Sequence, residues 1–130
     1  MTLKWRLAAL LAAWVAGACG GEESTAPRPA CTGPVTVVAT REARPLFTWT
    51  PNCAVARLTV SSVPNQGIIV YRWAIRGGPA GIASGVRFGV LPPAAVQEKA
   101  PNDDAPASWF GVAVYGADGA LLGSAPVVFP

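Results

Sequence analysis

Downstream of residue 31, apolar residues recur at every second position in short runs, and no segment sustains the 3.6-residue period of a helix. The first run, Val35-Thr36-Val37-Val38-Ala39-Thr40, is rich in β-branched residues and follows Gly33-Pro34. Leu46 to Thr50 alternates, with Phe47 and Trp49 on one face, and stops at Pro51-Asn52. Val55 to Ser62 sets Ala56, Leu58 and Val60 against Val55, Arg57 and Thr59. After Pro64-Asn65-Gln66-Gly67, the stretch Ile68 to Arg76 gathers Ile69, Tyr71, Trp73 and Ile75 on one face. Ile82 to Leu91 carries Val86, Phe88 and Val90 at period two, and the polar stretch from Ala94 to Ala107 reads as a surface loop. The last two runs, Trp109 to Gly116 and Leu121 to Phe129, flank Asp118-Gly119, a strong hairpin signal. Seven short strands broken by frequent turns predict an all-β domain over residues 31–130, a seven-stranded antiparallel sandwich of two sheets. Phe47, Trp49, Tyr71, Trp73 and Phe88 fall at the inward positions of this pattern and are expected in its core.

Two of the runs also carry a resemblance. Phe47-Thr48-Trp49-Thr50-Pro51 resembles the second strand of fibronectin type III domains, where an apolar-x-Trp-x-Pro pattern sets the tryptophan in the core. Phe110-Gly111-Val112-Ala113-Val114 resembles their sixth strand, usually Tyr-x-Val-x-Val, and the order and spacing fit across residues 34–130. Phe110 has no hydroxyl, so the tyrosine corner of that family must be absent or made differently. The resemblance implies a fibronectin III-like or immunoglobulin-like sandwich. In that architecture the third, fourth, sixth and seventh runs share one sheet, and Phe110, Val112 and Val114 point inward.

The first 30 residues read differently. Lys4 and Arg6 precede twelve small or apolar residues, Leu7 to Ala18, and then comes Cys19. Twelve is too short for a spanning helix, which needs about 20, and matches the layout of a cleavable secretory signal over residues 1–18. Val15-Ala16-Gly17-Ala18-Cys19 resembles a bacterial lipobox, with Ala16 where leucine is usual. That resemblance implies that Cys19 becomes the first residue of the mature chain and carries a diacylglyceryl anchor to a membrane of the bacterial cell envelope. An ordinary signal cut beside Cys19, or an uncleaved anchor, are the alternatives. The glycines, polar residues and prolines of 19–30 read as a flexible linker.

This address changes the meaning of the composition. The chain of 130 residues is 52% hydrophobic and 13% charged, too apolar for disorder, and its fourteen glycines and thirteen prolines disfavour long helices. Ten basic and seven acidic residues give +3, but loss of Lys4 and Arg6 with the signal leaves +1, so a nucleic-acid partner is not indicated. With Cys19 lipidated, Cys31 and Cys53 remain as an even pair in an oxidising compartment and are expected to form a disulfide, which is not typical of fibronectin domains. Two separate thiols, one of them buried, are the alternative.

Candidate chemistry is sparse. The chain has no histidine to activate Ser61, Ser62 or Ser84, and the only lysine past the signal, Lys99, lies in the expected loop. No catalytic or cofactor-binding set emerges, and the protein is expected not to be an enzyme and to need no cofactor. Asp103-Asp104 lacks the spaced oxygen ligands of a calcium loop and reads as a solvated turn. One constellation remains. With Phe110 inward, alternation sets Trp109 and Tyr115 on the outer face of their sheet, and the same rule sets Arg57, Arg72 and Arg76 there. Such a basic and aromatic face suits a glycan, a surface polymer or a partner protein. The plain alternative is that the arginine stems merely cover apolar sheet. Two functions are thus expected: a non-catalytic, envelope-anchored binding module, or an accessory subunit of an envelope assembly that pairs through exposed strand edges.

Overall fold

The computed structural model describes residues 28–62, 69–102 and 110–130. The expected signal, Cys19, Asp103, Asp104 and Trp109 lie outside these residues. The described residues contain eight strands and no helix: β1 (Thr36–Ala39), β2 (Leu46–Thr50), β3 (Arg57–Ser62), β4 (Val70–Arg76), β5 (Val86–Arg87), β6 (Val96–Lys99), β7 (Phe110–Tyr115) and β8 (Leu121–Val127). They form two antiparallel sheets, one ordered β1-β2-β5 and the other β6-β4-β3-β7-β8. The expected third, fourth, sixth and seventh runs, now β3, β4, β7 and β8, do share a sheet.

The core lies between the sheets and follows from the alternation. Phe47 and Trp49 from β2 meet Leu58 and Val60 from β3, Trp73 and Ile75 from β4, and Val112 and Val114 from β7, all at most 2% exposed. Trp49 Nε1 donates to the Cys53 carbonyl at 2.8 Å, which satisfies the polar end of a buried ring. Cys31 and Cys53 form the expected disulfide. Closing a loop of this length contributes about 3 kcal/mol in the chain-entropy account. The chain joins the domain beside it: Ala54 N–H donates to the Pro29 carbonyl and Cys31 N–H to the Ala54 carbonyl, so Pro29 and Ala30 already belong to the folded edge. At the far side of the three-stranded sheet, Val35 N–H donates to Leu122 O at 3.0 Å, bringing the start of the first strand onto the last. The Asp118-Gly119 hairpin forms with Gly119 at φ 85°, and Ala120 N–H donates to Asp118 Oδ1.

Three expectations change. The eighth strand, β6, lies inside the stretch read as a loop. All four of its residues are exposed, so it has no buried face and no alternation to display, and only backbone pairing with β4 defines it. The run Ile82 to Leu91 is mostly irregular, because Gly85 and Gly89 take φ of 102° and 81° on either side of a two-residue β5. Val86 and Phe88 are buried there, but Val90 is exposed. The third change concerns β4 and alters the candidate face.

Candidate binding face

Pairing of β4 with β3 slips by one residue in the middle: Val60 faces Trp73, but Ser61 faces Tyr71. Arg72 is the extra residue of this β-bulge, and a bulge reverses the side-chain alternation of everything beyond it. Trp73 and Ile75 point inward as expected, whereas Ile69 and Tyr71, expected beside them, turn out to solvent with 57% and 40% exposure.

Arg72 moves the opposite way. It does not lie on the outer face, where period two had set it, but is 6% exposed between the sheets. Its guanidinium carbon sits 4.4 Å from the ring centre of Phe110 and 4.3 Å from that of Phe129. Phe129 in turn stacks edge-on against Phe88 and Phe110. Arg72 Nε–H donates to the Asn102 carbonyl, while Asn102 N–H donates back to the Arg72 carbonyl at 2.9 Å. A guanidinium tolerates such a place because the rings offer their negative faces and the stem packs as an apolar chain. It lines a surface cavity of about 370 Å³ with Arg44, Phe88, Gly89, Pro101 and Phe129. Its contacts bind the segment after β6 to the aromatic end of the core, which is structural work.

The outer face of the five-stranded sheet keeps Arg57, Arg76 and Tyr115 and gains Tyr71. In the ladder Arg57 is flanked by Arg76 on β4 and Tyr115 on β7. Its guanidinium carbon lies 5.9 Å from the Tyr71 ring centre and 5.8 Å from that of Tyr115, so the cation sits between two tyrosines from the neighbouring strands. Arg57 Nε–H donates to Glu98 Oε1 at 2.9 Å. Glu98 can reach it because β6 bulges: Lys99 pairs with Ala74 and Gln97 with Ile75, leaving Glu98 as the extra residue. Gln97, exposed at the sheet edge, lies on the other side of β6 and accepts from Trp73 Nε1 at 3.0 Å. Arg76, directly across from Arg57, is a like-charged neighbour that the ion pair with Glu98 offsets. Thr59 and Ala74 belong to the same face by register, yet are 1% and 2% exposed, which means the large side chains close over them.

Sequence reasoning missed Tyr71 and Glu98 because both owe their direction to bulges, which composition does not announce. Trp109, the fifth expected member, lies outside the described residues. No family model, no curated protein and no solved structure matches this chain.

Proposed function

We propose that this protein is an envelope lipoprotein, anchored through Cys19, whose fibronectin III-like sandwich binds a partner non-catalytically through the outer face of the five-stranded sheet. The observation that carries the reading is Arg57 held between the exposed ring of Tyr71 and the partly exposed ring of Tyr115, with Arg76 alongside. Two half-exposed tyrosines and a guanidinium in fixed register are pre-ordered, so a ligand that contacts them encounters little loss of side-chain freedom. The strand order, with β3, β4, β7 and β8 together, supports the fibronectin III-like assignment, to which β6 adds an edge strand. The anchor would join the domain at the end where Pro29 and Ala30 pair with Ala54.

Co-sedimentation with bacterial envelope fragments tests this reading, with both proteins carrying Cys19→Ser so that no lipid takes them into the pellet. The otherwise wild-type protein is expected in the pellet and the Tyr71→Ala, Tyr115→Ala double variant in the supernatant. Equal pelleting of the two refutes the face. Intact mass of the native protein tests the anchor, and an unacylated Cys19 refutes it.

A second reading, an accessory subunit joined by strand pairing, is favoured by β6 alone, a sheet edge with all four residues exposed.

A further inference from the structure

We infer that the ligand of the outer face is an acidic polysaccharide, its sugar rings lying on Tyr71 and Tyr115 and its carboxylates meeting Arg57, with Glu98 acting as the carboxylate that occupies Arg57 when the ligand is absent. This rests on the binding reading above and names the ligand class.

Charge comes first. The described residues of this face carry three cations, Arg57, Arg76 and Lys99, against one carboxylate, Glu98. The face thus carries a net charge of +2, which favours an anion. Shape comes second. A pyranose ring has an apolar C–H face and a rim of hydroxyls, so it suits an aromatic ring lying on a flat surface with hydrogen-bonding groups at the same level. Around the two tyrosines the face is small or polar: Ser61, Gly111, Ala113 and Ser124 share it by register. Tyrosine and arginine also centre many polypeptide interfaces, so an acidic polymer without sugar rings is the comparison that separates the two classes. The larger apolar side chains stand at the margins: Val96 and Leu121 on the two outermost strands, and Ile69 just before β4.

Glu98 makes the inference specific. Its carboxylate holds Arg57 Nε at 2.9 Å, with both side chains 41% and 34% exposed, so the pair is wet and exchangeable. A ligand carboxylate would compete with an internal one for the same guanidinium. Removal of Glu98 should then strengthen binding of an acidic polymer and leave a neutral one unaffected.

The test uses two forms of one backbone, polygalacturonate and its methyl-esterified form, with polyglutamate as an acidic polymer without sugar rings. Calorimetric titration is done at low salt, where screening is weakest. Expected are binding of polygalacturonate, about tenfold weaker binding of the ester and of polyglutamate, and loss on Tyr71→Ala with Tyr115→Ala. Glu98→Gln should tighten polygalacturonate roughly two- to fivefold and leave the ester unchanged, the range of an exposed ion pair. A melting temperature near wild type guards against misfolding of the tyrosine variant. Equal binding of acid and ester overturns the acidic class. Equal binding of polyglutamate overturns the polysaccharide in favour of a polypeptide. No binding of any polymer, while the tyrosine variant still loses envelope co-sedimentation, overturns the inference but keeps the face; retained co-sedimentation removes the face itself.

Discussion

Gly123→Ala is expected to destabilise the domain, although a glycine in a strand would ordinarily be improved by alanine. The backbone of Gly123 lies outside the left-handed region, so the substitution should stabilise by roughly 0.5–1 kcal/mol through the unfolded chain. The surroundings reverse that sign. Gly123 stands on β8 at the point where β1 closes onto it, and a Cβ there would press into the Val35 carbonyl oxygen. It would also lie 3.0 Å from Cγ2 of Val35 and of Val37. The blocking atom is backbone and cannot rotate away, so β1 must shift, and the Val35 N–H bond to Leu122 O must lengthen. Overpacking of this kind costs about 1–3 kcal/mol, which leaves a net loss of order 1–2 kcal/mol. For a domain of this size that lowers Tm by about 5–15 °C. Gly33→Ala is the control, since a Cβ at Gly33 meets nothing within 4 Å, and its Tm should stay level or rise slightly. Differential scanning calorimetry reads both, and amide exchange at Val35 should accelerate only in Gly123→Ala. A Tm for Gly123→Ala at or above wild type would refute the reasoning.

Three other outcomes are expected. Trp49→Phe keeps most of the buried ring but strands the Cys53 carbonyl, costing about 1–3 kcal/mol, and Trp49→Ala costs about 3–5 kcal/mol, both read as denaturation midpoints. Arg72→Ala should cost on the order of 2–3 kcal/mol by removing a desolvated guanidinium from its rings and from Asn102, whereas Arg76→Ala, on the exposed face, should stay within about 0.5 kcal/mol; equal effects would refute the inward placement of Arg72. The hydrogen bond from Arg87, and then that from Thr40, holds the Glu42 carboxyl below its ordinary pKa. Its contribution is therefore full above the ordinary glutamate range and is lost as pH falls through the lowered value, so Glu42→Gln should lower Tm slightly at neutral pH and leave it unchanged at low pH, which flattens the acid limb of a Tm-versus-pH curve.

The alternation of Phe47 with Trp49, of Leu58 with Val60, and of Val112 with Val114 is written in the order of residues, and each pair is buried. So is the Asp118-Gly119 turn, a local signal, whereas the pairing of Cys31 with Cys53 could be read from a chain of three cysteines only by setting Cys19 apart as an expected lipid site. Those signals were enough to specify an all-β domain with two sheets.

The direction of Arg72, Tyr71 and Glu98 was decided elsewhere. Each depends on a bulge, and a bulge arises where two strands pair, so its position is a property of the ladder and not of either strand alone. One displaced residue sent Arg72 into the aromatic core and Tyr71 out beside Arg57, exchanging the members of the face that period two had proposed. β6 was invisible for a related reason. An edge strand exposed at every residue is held by backbone hydrogen bonds to a neighbour, and no pattern of apolar side chains records a partner that the chain meets only in three dimensions.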